Sequence, residues 1–117
     1  MQNTIIGIDL VDVKRFNNFD FKSKLAKNIF SENELKAINK KSKSSETLAG
    51  KFAAKEAVKK TLEENVKLNI IEVLSEKNGR PYINFQDKNL KRKYSPKISI
   101  THSNMQAIAV CLTEIIL

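Results

Sequence analysis

Two acids occupy positions that look unfavourable for a charge. Asp9 lies in "GIDLVD" (7–12), inside a stretch apolar and alternating enough to be a buried strand, and Glu56 lies in "LAGKFAAKEAVKKTL" (48–62), which reads as a helix. An ionised carboxylate in such surroundings costs roughly several kcal/mol unless something pairs with it. At about 100° per residue, Glu56 has Phe52 and Ala53 one turn before it, Ala49 two turns before and Lys60 one turn after, so it stands on a face where another backbone can approach. Two acids on different elements suggest a shared cation, and an all-oxygen pair completed by water or phosphate is what Mg²⁺ prefers. Plainer readings stay open: Glu56 and Lys60 form a favourable i,i+4 pair, and Asp9 can pair with a lysine or accept backbone N–H bonds.

The elements that would position these acids can be read from pattern. Residues 4–11 alternate as a strand, with Ile5, Gly7, Asp9 and Val11 on one face and Ile6, Ile8 and Leu10 on the other; both faces are largely apolar, which predicts a central strand. One or two short amphipathic helices are expected over 12–29. Ser31 followed by Glu34 is a capping box that starts a helix in "FSENELKAI" (30–38). "NKKSKSSE" (39–46) reads as a loop, and the longest helix runs from about 45 to 65. Strands are expected at 67–76 and 80–85 around "KNGRP" (77–81), where Asn78-Gly79 signals a hairpin of type I′. A basic helical turn covers 87–94, and two strands, 97–103 and 106–117, close the chain. Segregated strands and helices predict an α+β domain: a small antiparallel sheet packed against one long helix and shorter helices.

The 117 residues suit a single domain spanning 1–117, and 41 % hydrophobic with 29 % charged residues is ordinary for a globular chain. No apolar run approaches a membrane span and no signal-peptide pattern opens the chain, so a cytoplasmic setting is expected. Cys111 is the only cysteine, which excludes a disulfide framework and a thiolate metal cluster. The net charge of +8 invites an acidic partner, but 18 of the 21 basic residues are lysine, a bias that base composition also produces.

Taken together, "GIDLVDVKRF", "FSENEL", "LAGKFAAKEAVKKTL", "NGRP" and "ISITHS" resemble, in order and over most of the chain, the motifs of bacterial holo-acyl-carrier-protein synthase, the small type of 4′-phosphopantetheinyl transferase. The resemblance implies that coenzyme A gives its phosphopantetheine arm to a serine of an acyl carrier protein, releasing adenosine 3′,5′-bisphosphate. It implies Mg²⁺ on Asp9 and Glu56, with Lys60 reaching the phosphates beside the metal; these three are the expected catalytic residues. Lys51 matches a basic position near the 3′-phosphate, His102 and Ser103 match nucleotide-phosphate contacts, and Asn78, Gly79, Arg80 and Pro81 match the hairpin bordering the nucleotide. Arg15 matches the docking arginine for the acidic carrier protein, with Lys22 and Lys24 beside it; Lys14 and Lys27 extend the basic face. A homotrimer with active sites between subunits is implied, and the Ala-containing strand 106–112 is expected to face a neighbour. One departure stands out: "TLEENVKLN" (61–69) is shorter than the family's glycine-rich stretch and contains no glycine. The competing reading from another class is a small basic nucleic-acid-binding protein, suggested by the charge and by six Phe and two Tyr. The two carboxylates and the lack of any stacking motif argue against it, and no nucleic-acid or membrane partner is expected.

Overall fold

The computed structural model of the chain describes residues 3–38 and 44–116. Among these residues there are two antiparallel sheets and four α-helices. Strand β1 (Thr4–Asp12) leads through a 3₁₀ turn (Val13–Phe16) to helices α1 (Lys24–Ile29), α2 (Glu32–Ile38) and α3 (Ser44–Lys59). Strands β2 (Ile71–Ser75) and β3 (Pro81–Phe85) form a hairpin, and α4 (Lys88–Lys93) precedes β4 (Tyr94–His102) and β5 (Gln106–Ile115). The main sheet has the order β1-β5-β4, and β2-β3 is a separate two-stranded sheet rather than part of one continuous sheet.

The helices begin where side chains satisfy orphan N–H groups. Ser23 Oγ accepts from Ala26 N, Asp87 accepts from Asn89 N and Leu90 N, and the capping box forms as expected. There Glu34 N donates to Ser31 Oγ at 3.2 Å while Ser31 N donates to Glu34 Oε1 at 2.9 Å. Helix α3 starts at Ser44, inside the stretch expected to be a loop, whose residues 39–43 lie outside the described residues. It stops at Lys59, short of the expected end near 65. The last turn tightens through Thr61 N to Val58 O, and the Thr61 hydroxyl also donates to Val58 O at 2.6 Å.

Strand β1 is an edge strand, not the central one; β5 is central. The alternation itself is correct. Gly7 and Val11 are buried towards α3, while Ile6, Ile8 and Leu10 are 67, 59 and 56 % exposed. An apolar outer face misleads the expectation because it continues onto β5 through Ile108, Val110 and Leu112 rather than into a layer of the same chain. The alanines of β5, Ala107 and Ala109, point the other way and are fully buried with Cys111, so the part of strand 106–112 left for a neighbour is its branched residues.

Helix α3 lies across the inner face of that sheet on a stripe of fully buried Ala49, Ala53 and Ala57. A Cβ on Gly7 would sit 2.2 Å from the Ala57 carbonyl oxygen, and one on Gly50 would sit 3.2 Å from Ile100 Cγ2. Only small residues permit backbone and strand to approach so closely. Five of the six phenylalanines (Phe16, Phe19, Phe21, Phe30 and Phe52) form a chain of ring contacts that seats the 3₁₀ turn and α1 on α3, and Phe85 is buried in the core. None of these six is presented for base stacking.

The hairpin turn differs from type I′. Gly79 has φ +90° while Asn78 is not in the left-handed region. Gly79 N donates to Glu76 O and Glu76 N to Arg80 O, both at 2.9 Å. This is a type I turn closed by a glycine bulge, the usual three-residue loop.

Candidate active site

The close approach at Gly7 decides where Asp9 stands. Asp9 shares the inner face with Gly7 and Val11, pairs across the sheet with Ala109, and so projects beside the last turns of α3. Its side chain is 19 % exposed and meets Lys60 Nζ at 3.3 Å; the same ammonium donates to the Ile8 carbonyl at 2.7 Å. Lys60 therefore leaves its helix neighbour Glu56 and turns to β1. Asp9 thus has a lysine for a partner, one of the plainer alternatives, but that lysine is 54 % exposed rather than buried.

Spaced four residues apart along α3 and just past its end stand Phe52, Glu56 and Lys60. The Arg15 guanidinium covers the Phe52 ring at 4.5 Å from its centroid. Glu56 is half-buried, and among the described residues its carboxylate has no hydrogen-bond or ion-pair partner. These three positions thus carry, in succession, a stacked cation, an unpartnered carboxylate, and an ammonium laid on a second carboxylate. Arg15 is exposed and lies over Phe52, the residue one helical turn before Glu56.

A cleft of about 210 Å³ opens at the other end of α3, between the helix, β4 and the β2-β3 hairpin. Lys51, Gly79, Pro81 and His102 line it, as do Glu46, Thr47 and Gly50. Sequence reasoning brings four of these together; Asn78 and Arg80 flank Gly79 in the turn, where Asn78 Oδ1 accepts from Arg80 N. Lys51 Nζ reaches Val73 O at 2.6 Å, and His102 Nδ1 is 3.1 Å from Glu46 Oε1. Ser103 lies outside the lining. Its Oγ accepts from Met105 N and Gln106 N and so shapes the β4–β5 turn, while its hydroxyl proton remains available to donate. Lys22 and Lys24 are exposed at the start of α1 beside Leu25, 61 % exposed, and do not reach either carboxylate.

Sequence reasoning misses Lys55, the residue before Glu56. It is fully buried, and its Nζ donates to Glu34 Oε1 at 2.6 Å, to Leu68 O and to Ile71 O. Burial holds its pKa below the ordinary lysine value, against the opposing pull of Glu34. Glu34 goes beyond its cap: its second oxygen accepts from Val73 N at 2.8 Å. Ser31 donates onward to Glu72, which also accepts from Asn84 and Asn33. Burial pushes Glu72 up, and these three hydrogen bonds outweigh it, so its pKa is lowered. The network fastens α2, α3 and β2 together. The available signal was that Lys55 falls on the buried face of the wheel.

The glycine-free stretch after α3 folds back instead of opening. Thr61 Oγ1 and Thr113 Oγ1 are 2.7 Å apart, Glu63 N donates to the Tyr94 hydroxyl, and that hydroxyl donates to Glu64. Its hydrogen bond to Tyr94 holds Glu64 below the usual carboxylate range.

Among the described residues no group of three or more His, Cys, Asp or Glu side chains converges as a protein-only metal cage. What α3 and β1 offer is two hard oxygen donors, one unpartnered and one held by a half-exposed ammonium. That suits an ion which keeps several waters and is completed by substrate phosphate.

Residues 5–111 match the family model described as the 4′-phosphopantetheinyl transferase superfamily. The chain is 36 % identical to the holo-[acyl-carrier-protein] synthase of Clostridium tetani, covering 93 % of this chain and 94 % of the relative. It is similar in fold to a holo-(acyl-carrier-protein) synthase from Bacillus anthracis crystallised in complex with CoA (3′,5′-ADP), at TM-score 0.77 and 30 % identity over 93 % of this chain and 94 % of that one. The Helicobacter pylori holo-[acyl-carrier-protein] synthase in complex with coenzyme A gives TM-score 0.79 and 28 % identity, covering 94 % of this chain and all of that one.

Proposed function

The chain belongs to the 4′-phosphopantetheinyl transferase superfamily, among the holo-[acyl-carrier-protein] synthases, and on that premise we propose that it moves the 4′-phosphopantetheine arm of coenzyme A onto a serine hydroxyl of an apo acyl carrier protein. The transfer depends on Mg²⁺ and releases adenosine 3′,5′-bisphosphate, and one domain, 1–117, carries it. The observation that most supports this reading is the Asp9–Lys60 pair beside the Gly7–Ala57 contact, with the unpartnered Glu56 next to Ala57 in the helix and the Lys51–His102 cleft at the other end of that helix.

Asp9 and Glu56 would hold the metal. When bound, the ion supplies positive charge to the pyrophosphate oxygens as the transferred phosphoryl group changes partners. Lys60 adds a second positive charge at the same place and keeps Asp9 neutralised. Lys51 and His102 serve the nucleotide phosphate, with the Ser103 hydroxyl as a further donor, and Asn78, Gly79, Arg80 and Pro81 border the nucleotide. Mass spectrometry of an apo carrier protein incubated with the enzyme, coenzyme A and Mg²⁺ tests the reaction directly: the carrier gains the phosphopantetheine mass, and no gain overturns the reading. Coenzyme A with Mg²⁺ should also raise the melting temperature while oligonucleotides at moderate salt do not, which separates this reading from nucleic-acid binding.

The acidic carrier protein meets the basic 3₁₀ turn and α1, where Lys14, Arg15, Lys22, Lys24 and Lys27 are all exposed. Arg15→Glu should raise the apparent KM for carrier protein about tenfold and leave that for coenzyme A within about twofold, because a rim charge acts mainly through encounter and register. Equal damage to both constants would put Arg15, which covers Phe52, inside the reaction site itself.

The outer face of the main sheet, with Ile6, Ile8, Leu10, Ile108, Val110 and Leu112 exposed, is the kind of contiguous apolar surface that marks an interface. We assign it to a homotrimer with active sites at the subunit boundaries. Sedimentation should give a trimer at working concentrations, and an active monomer would remove the assignment. Among the described residues no helix is long and apolar enough to cross a membrane; the cytoplasm, where coenzyme A and carrier proteins meet, is the compartment that the reading implies.

A further inference from the structure

The His102 imidazole does not stand alone in its cleft. Its Nδ1 lies 3.1 Å from Glu46 Oε1, and that carboxylate, at 17 % side-chain exposure, is far more enclosed than the imidazole at 46 %. Both line the same 210 Å³ cleft with Lys51 and Gly79. Neither belongs to a loop. Glu46 is in the first turn of α3 and His102 ends β4, paired with Ala107. The two elements are held at a fixed separation at Gly50, where a Cβ would press on Ile100 Cγ2 at 3.2 Å. Their distance is therefore set where the Ile100 side chain rests on Gly50, away from both residues of the pair.

We propose that Glu46 is a positioning residue: it accepts the Nδ1 proton of His102 and thereby fixes both the ring orientation and the tautomer, leaving Nε2 as the nitrogen available to a group bound in the cleft. A carboxylate accepts only, so the ring nitrogen facing it must carry the proton. The neutral ring is then held in the Nδ1–H form. When the ring is protonated, its charge is backed by Glu46 and Nε2–H becomes a charge-assisted donor to an anion. Lys51, on the next turn of α3, supplies a fixed positive charge to the same cleft. The consequence for coenzyme A rests on the proposed function; the tautomer does not.

His102 is the only histidine in the chain, so one set of imidazole signals reports on it. In the ligand-free protein, two-bond ¹H–¹⁵N correlation spectra at a pH where the ring is neutral should show the Nδ1–H tautomer, against the Nε2–H form favoured by an imidazole without a partner. Glu46→Gln, whose amide oxygen also accepts, should keep it; Glu46→Ala should lose it. Calorimetry with adenosine 3′,5′-bisphosphate should show Glu46→Ala binding about five- to tenfold more weakly, with KM for coenzyme A rising to match and kcat within about twofold. A wild-type ring in the Nε2–H form, or Glu46→Ala with unchanged bisphosphate affinity, overturns the positioning role. Wild-type protein with the Nδ1–H ring and no affinity for the bisphosphate supports the positioning role and overturns the coenzyme A reading instead.

Discussion

Asp9→Asn should keep its fold and lose its chemistry. On the proposed reading the amide cannot replace a carboxylate as a Mg²⁺ ligand, and transfer should fall by on the order of 10³-fold, the scale of removing an electrostatic contributor from a transition state. What remains should no longer respond to added Mg²⁺. The apo protein, by contrast, should melt within about 2 °C of wild type. Among the described residues the only side-chain partner of Asp9 is Lys60, more than half exposed, and an ion pair of that kind contributes about 0–1 kcal/mol. Water takes over the lysine when the carboxylate goes, and the Ile8 carbonyl still accepts from it. Apo melting temperature and Mg²⁺-dependent activity measured on the same variant decide the matter. A large loss of apo stability in a variant that still responds normally to Mg²⁺ would show that Asp9 is a structural acid.

Lys55→Met should do the opposite, damaging stability first. Lys55 and Glu34 are both at 0 % exposure, and removing the ammonium leaves an ionised carboxylate in the core with only two N–H partners, Ser31 and Val73. Breaking a buried pair from one side costs about 3–5 kcal/mol. In a domain of this size that lowers the melting temperature by roughly 12 °C or more. Adding Glu34→Gln to Lys55→Met should recover part of the loss, because the amide oxygen still accepts while the charge is gone. Strictly additive effects in the double-mutant cycle would mean that the two residues are not coupled.

These two lysines show where sequence was informative and where it was not. Periodicity located the strands and put Asp9 on one face of β1 with Gly7 and Val11, because alternation is a property of one strand alone; that this face meets α3 comes from the fold. The edge position of β1 was not legible. Apolar residues on both faces describe a central strand and an edge strand with a sticky outer face equally well. Helix α3 was expected to run on to 65, since its Lys-Lys-Thr-Leu end carries no glycine or proline; the stop comes from a threonine hydroxyl bonding back to Val58. Asn78-Gly79 announced a hairpin but not its type, because only Gly79 takes positive φ. In the candidate site, the types and spacing of Asp9, Glu56 and Lys60 were readable. That Lys60 turns away from Glu56 was not, because a helix wheel contains no neighbouring strand. Glu46 and Lys55 were missed for the same reason: each acquires its role from a partner 56 or 21 residues distant in sequence.

The strand order carries a kinetic consequence. In the sheet β1-β5-β4 the middle position belongs to the latest in sequence of the described strands, so Thr4 pairs with Glu114. Pairing of that kind must close nearly the whole chain into one loop, which puts folding on the slow side for a domain of this size. During synthesis, helices and the β2-β3 hairpin form from local contacts, while β1 waits with its apolar residues uncovered. The strand that carries Asp9 has α3 to lie against but no sheet partner until Gln106–Ile115 has emerged, so the acid pair gains its fixed backbone late in folding.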